Sequence, residues 1–185
     1  LYRTLYHKAL EGAPDCGGIL TYNYLSGEPV TGMDEGRPLL FRKPDASFSL
    51  VNVMRAHLTS ACASLRIGMD ILAAEQVELD AMTGHGGFFK VEGIGQKIMS
   101  AALGTPVTVM ETAGEGGPWG MAVLAAYLMN KAENESLSDY LTARVFHNAK
   151  SVTVSATDAE AAGFATFMDG YKCSIAVERA AVQAY

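Results

Sequence analysis

Two glycine clusters carry the residue types best suited to chemistry in this sequence. One is Gly84-His85-Gly86-Gly87, followed by Phe88-Phe89-Lys90; the other is Gly114-Glu115-Gly116-Gly117, preceded by Glu111. Each follows an apolar segment and opens a helix-like pattern. A glycine has no Cβ, so its backbone N–H can come close to a phosphate or a ribose, and a helix N-terminus favours anions. The competing reading of the first cluster is a strand-to-helix turn that needs glycine only for its φ angles.

Other chemistries find little support. His7, His57, His85 and His147 have no metal-ligand spacing, and Cys16, Cys62 and Cys173 are odd in number and widely separated. Neither a zinc site nor a disulfide framework is expected, and buried reduced thiols in a cytoplasmic protein are. His57 sits on an apolar helical stripe and reads as a core histidine with its hydrogen bonds met. Asp158, Glu160 and Asp169 read as helix-capping and solvated groups. The formal charge of −6 and the absence of a basic run argue against nucleic-acid binding. The longest apolar run, Trp119 to Met129, is far short of a bilayer span, so no membrane partner is expected. With 49% apolar and 18% charged residues, the 185-residue chain can fill one hydrophobic core. It begins with Leu1 and not Met, which suggests a fragment or a processed chain.

The elements that must position the glycines can be read in order. A short helix over Leu1–Leu10 ends at Gly12, Pro14 and Gly17-Gly18. Ile19–Leu25 is strand-like, and Leu39-Leu40-Phe41 is a second, shorter strand. From Ser47 or Ser49 a helix of about six turns is expected, with Leu50, Met54, His57–Leu58, Ala61, Leu65, Met69 and Leu72 on one stripe. Leu79–Thr83 is a short strand feeding the first glycine cluster. Ile94, Ile98, Ala101 and Ala102 share a helical face that Gly104 and Pro106 end, and Val107–Met110 is the next strand. Strand, helix and strand make a βαβ unit with parallel strands. The second cluster opens a helix over Trp119–Lys131. Both glycine turns therefore lie at the carboxyl edge of one parallel sheet, where open α/β sheets bind ligands. Val152 and Val154 alternate with polar residues as a short edge strand. Thr157-x-x-Glu160 is a capping box for a last helix, which Gly163 and Gly170 weaken.

From the strand at Leu79 through the helix ending near Lys131, the chain resembles the carboxyl-terminal half of FGGY-family sugar kinases. These belong to the actin, heat-shock-ATPase and hexokinase superfamily. The resemblance rests on Gly84-His85-Gly86-Gly87 for a Gly-Gly-Gly-Ala-type adenosine motif, then Gln96, Leu103-Gly104, Pro106-Val107, Glu111 and Gly120-Met121-Ala122. Upstream, Arg55-Ala56-His57-Leu58 with Ala61 is similar to the family's helix signature. Tyr22-Asn23-Tyr24-Leu25-Ser26-Gly27-Glu28 is similar to its Pro-Tyr-Leu-x-Gly-Glu strand and turn. Departures are His85 and Gly87 within the motif, Ser64 where many members carry an acidic residue, and Pro44-Asp45-Ala46-Ser47 in place of an Ala-Arg-Gly segment. They mark a divergent branch with its sugar specificity unassigned.

The resemblance implies an α/β, actin-like ATPase (ribonuclease H-like) fold, with a mixed sheet and helices on both faces. It implies that residues 1–185 are the carboxyl-terminal nucleotide-binding domain of a two-domain sugar kinase whose amino-terminal domain is absent. The function implied is the ATP-binding half of an enzyme moving the γ-phosphate of ATP to a pentulose-like sugar. The alternative is a non-catalytic nucleotide-binding or regulatory module of the same superfamily. Gly84, His85, Gly86, Gly87, Lys90, Gln96, Glu111 and Gly114 are the expected nucleotide contacts. Gly84, Gly86 and Gly87 would face the ribose and α-phosphate, and Glu111 with Gly114–Gly117 would wall the adenine. Mg²⁺ would come with ATP, and the catalytic base, an Asp, and most sugar contacts belong to the absent half. No catalytic or metal-ligating residue is expected in this chain, which alone is expected to be inactive; a homodimer is left open.

Overall fold

The computed structural model describes residues 1–184. Two sheets form. β1 (Ile19–Tyr22) and β2 (Leu39–Arg42) pair antiparallel. The second sheet has the order β3-β4-β5, with β3 (Met82–Gly84) parallel to β4 (Val107–Met110) and β5 (Ser151–Val154) antiparallel to β4. It is the expected mixed sheet. The crossover between β3 and β4 is the helix α4 (Ile94–Leu103), which completes the βαβ unit. β3 is shorter than the apolar run suggests, since only Met82, Thr83 and Gly84 find partners, on Val107, Thr108 and Val109.

The core forms where α1 (Tyr2–Ala9), β1, α2 (Leu50–Ser60), α4 and α7 (Asp158–Ala184) meet, the short α6 (Leu137–Tyr140) preceding β5 and α7 in the chain. Tyr22 is its polar centre. Its hydroxyl donates to the Tyr171 carbonyl at 2.5 Å, and the Tyr171 hydroxyl donates to that of Tyr24 at 2.8 Å. Burial pushes both the Tyr22 and Tyr171 phenols up. Cys16 and Cys62 are buried free thiols whose burial raises them to about 11 and about 12, respectively; Cys173 is exposed, against expectation.

The long helix expected from Ser47 is two helices. Ser49 caps α2, its hydroxyl accepting from Asn52 N–H at 3.3 Å, and α2 stops at Ser60; α3 resumes over Ala63–Ala74. The last turn of α2 is tied to β1 and to Asn23 just beyond it. Thr21 Oγ1 donates to the Ala56 carbonyl (3.1 Å), Asn23 Nδ2 to the His57 carbonyl (3.0 Å), and Ser60 Oγ to the Thr21 carbonyl (2.6 Å). The strand thereby takes up polar groups of the last helical turn.

The buried face of α2 also differs from the apolar stripe. Leu50 is 64% exposed and His57 is exposed, its Nδ1 3.0 Å from Asn23 Oδ1, so His57 is not a core residue. Leu58 of the stripe is buried as expected, but the buried side also carries Asn52, Arg55, Ala56, Thr59 and Ser60. Asn52 accepts from Ala13 N–H and donates to the Ser47 carbonyl, both at 2.8 Å, while Arg55 donates to the Gly12 carbonyl at 3.1 Å. Polar side chains go inward here because the adjoining loops present backbone groups that need partners.

The capping box of α7 forms as expected. Thr157 N–H and Oγ1–H both donate to Glu160 Oε2 at 2.9 Å, and Glu160 N–H donates to Thr157 Oγ1 at 3.3 Å. Gly163 does more than weaken the helix. A Cβ there would lie 2.2 Å from Pro14 Cβ, so glycine lets α7 cross the 12–18 loop in contact. Among the described residues no helix is long and apolar enough to cross a membrane.

Candidate functional site

β3 delivers the chain into the first glycine turn. Gly84 is buried, and a Cβ on it would stand 2.5 Å from Phe89 Cζ; the aromatic ring occupies that space. Gly86 adopts φ +98° and ψ −174°, a conformation open to glycine and costly to any L side chain. Its N–H donates to the Ala113 carbonyl at 2.7 Å. That bond joins the first glycine turn to the second, whose short 3₁₀ segment Ala113–Glu115 leads into α5 (Gly116–Asn130). The expectation that the two turns lie side by side at one sheet edge is met. Gly87 faces open space, and His85 is exposed, its Cβ near Gly116.

After the turn, a 3₁₀ segment Gly87–Phe89 leads past Lys90 to Gly93, which begins α4. Gln96 ties this region together. It is 2% exposed; its Oε1 accepts from Gly93 N–H at 3.2 Å, and its Nε2 donates to the Val107 carbonyl at 3.0 Å and the Val152 carbonyl at 2.7 Å. One side chain therefore caps α4 and links it to both β4 and β5. With its amide occupied on both sides, Gln96 supports the site from beneath.

A cavity of about 570 Å³ opens at the carboxyl end of β4, beside the joined turns. Phe89, Val109, Met110 and Val152 give it apolar walls, and Lys90, Glu92, Glu111 and Lys150 give it charge. Of the eight residues singled out from sequence, Lys90, Gln96, Glu111 and Gly114 line it. Gly84, His85, Gly86 and Gly87 do not. Their turn reaches the cavity through the Phe89 ring and the Gly86–Ala113 hydrogen bond.

Phe89, Lys150, Ser151 and Val152 are cavity residues that the sequence reading missed. Phe89 stood next to a named motif, and its ring contact with a Cβ-less position was the signal available. Residues 150–152 follow the second cluster by more than thirty positions and reach the cavity through β5, whose Val109↔Val152 and Met110↔Ser151 pairing lies beyond local pattern.

Mixed sheet, βαβ unit and paired glycine turns define an α/β domain of the actin-like ATPase class. The model of the FGGY family of carbohydrate kinases, C-terminal domain, matches residues 3–129, and the chain belongs to that family. No curated protein matches the sequence. Among solved structures, the fold is similar to ligand-bound xylulose kinase from Lactobacillus acidophilus, with a TM-score of 0.69 at 18% identity, covering 92% of this chain and 33% of that one. It is also similar to xylulose kinase from Rhodospirillum rubrum (TM-score 0.65, 16% identity, 95% and 33%). A third is Plasmodium falciparum glycerol kinase with ADP (0.63, 15%, 91% and 32%). The chain spans about a third of the length of these kinases. Residues beyond 129, including β5 and α7, lie outside the family match, yet the structural likeness extends over 95% of the chain.

Proposed function

We propose that this chain is the ATP-binding half of a carbohydrate kinase that transfers the γ-phosphate of ATP to a hydroxyl of a pentulose-like sugar. In this reading residues 1–185 are the carboxyl-terminal nucleotide domain, and a separate amino-terminal domain supplies the sugar site and the base. The observation that carries the reading is the cavity at the carboxyl edge of parallel β3 and β4, flanked by two glycine turns that a 2.7 Å hydrogen bond holds together.

The residues present fit the nucleotide. Phe89, Val109, Met110 and Val152 offer apolar walls to a flat base, and no atom stands within 4 Å of the positions a Cβ would take on Gly86 or Gly87. That open glycine surface is where a ribose and α-phosphate would lie. Lys90 and Gly114 border the cavity on the turn side, with Glu111 at the end of β4 and His85 exposed beside Gly116. ATP supplies the transferable phosphoryl group, with Mg²⁺ carried on its phosphates. Phosphoryl transfer needs chiefly positioning and charge neutralisation. This chain's part is to hold the base and ribose so that the phosphates point away from the cavity toward the other domain. The chain alone is then inactive, and the whole enzyme works in the cytoplasm on a free sugar.

The test is an assay of the full-length protein with ATP against a panel of pentuloses, hexuloses and polyols. ATP-dependent phosphorylation of at least one is expected; none across the panel overturns the reading.

A further inference from the structure

The antiparallel register Val109↔Val152, Met110↔Ser151 continues one step further to Glu111 and Lys150, where Glu111 N–H donates to the Lys150 carbonyl at 3.1 Å. Side chains alternate along a strand, so Val109 and Glu111 share a face of the sheet with Val152 and Lys150. All four line the cavity. The two valines form part of its apolar wall, and the carboxylate and the ammonium stand together at its rim on neighbouring strands, with Cβ atoms roughly 5 Å apart for such a cross-strand pair.

Opposite charges so placed would ordinarily close on each other. Here neither Glu111 nor Lys150 makes an ion pair or a side-chain hydrogen bond with any described residue. The rim thus keeps an acceptor and a donor side by side and unspent above an apolar slot. The slot's geometry is held from below by Gln96, which bonds the Val107 and Val152 carbonyls on the same two strands.

We infer that Glu111 and Lys150 together read the edge of an adenine base, which makes Lys150 a specificity residue contributed by the segment beyond the family match. The inference rests on the nucleotide reading above and names how that site selects its base. Adenine presents its exocyclic amino group, a donor, beside a ring nitrogen, an acceptor. The carboxylate of Glu111 accepts from the amino group, and the ammonium of Lys150 donates to the ring nitrogen. Guanine offers two acceptors on the corresponding edge, one of which meets the carboxylate. The pair therefore binds one purine and opposes the other, so discrimination comes from repulsion as well as attraction.

Calorimetric titration of the full-length protein with ADP, GDP and inorganic tripolyphosphate tests this, using wild type, Lys150→Met and Glu111→Gln. Both positions are exposed, so the nucleotide-free thermal midpoints should stay unchanged. Wild type is expected to prefer ADP to GDP. Each substitution is expected to weaken ADP by about tenfold while leaving tripolyphosphate unmoved. ADP affinity unchanged in both variants overturns the base-reading pair and leaves the nucleotide site standing. So does a parallel loss of tripolyphosphate in Lys150→Met, which would place the lysine on the phosphates. Wild type that binds no nucleotide removes the nucleotide reading itself and this inference with it.

Discussion

Gly86 shows how much one residue can decide. Its φ of +98° with ψ near 180° is closed to side chains, and its N–H is the bond that joins the two glycine turns. Gly86→Ala should cost about 1–3 kcal/mol in strain, read as a lower thermal midpoint, and should weaken nucleotide binding by shifting the turn. Gly87→Ala is the control, since its Cβ would meet open space and φ is not positive there; stability should hold within about 0.5 kcal/mol. Gln96 acts differently, through three buried hydrogen bonds. Gln96→Met keeps the volume and strands two carbonyls and one N–H. About 2–4 kcal/mol of lost stability is expected from denaturant unfolding, a chain no less stable than wild type being the contrary outcome. The residue type and its place on a helix were legible in the sequence. Its burial and its three partners were not, because two of them sit on strands that only the folded sheet brings beneath it.

At the scale of elements, the caps and the packed face of α4, with Ile94, Ile98, Ala101 and Ala102 all buried, were legible, and the packed face of α2 was legible only in part. A capping box is a local device, so Thr157 and Glu160 could be read directly. Lys97 adds to it from α4, its Nζ 3.2 Å from Glu160 Oε1. Burial opposes the charge on Glu160, but hydrogen bonds from Thr157 and the Lys97 ammonium outweigh it and hold its carboxyl below the usual range. A carboxylate with a depressed folded value stabilises the fold above its unfolded value, and that stability is lost as pH falls through the folded one. Acidification from neutral should therefore cost stability below about pH 4.3, the ordinary glutamate value. In Glu160→Gln that part of the pH dependence should be absent, as urea midpoints measured from pH 7 to pH 3 would show. Thr157→Ala should cost about 1 kcal/mol at neutral pH. The face of α2 is the opposite case. Of its stripe Leu58 is buried and Leu50 is exposed, and Asn52 and Arg55 turn inward as well, where they partner loop carbonyls and an N–H from residues 12–47.

For the whole molecule, α5 stands apart from the core. Its fifteen residues are strongly apolar, yet none is buried, and Met121, Leu128 and Met129 are 69%, 70% and 83% exposed. Hydrogen exchange in the 185-residue chain should be much faster over α5 than over α4 and the first half of α7, where Ile98, Ala102, Phe164 and Phe167 are in the core. Equal protection across the three helices would count against this description. The sequence by itself determined the order of elements, the βαβ unit, the two glycine turns and the family resemblance, since each depends on residues close together along the chain or on a linear order of short motifs. Tertiary structure alone decided that α2 and α3 are separate, that Gln96 lies beneath the site, and that Lys150 stands opposite Glu111. Strand register and the meeting of distant backbone groups set these, and neither leaves a periodic trace in the sequence. The glycine turn that could be read first proves to be one shoulder of the cavity. Its far wall is β5, brought there by pairing across forty residues.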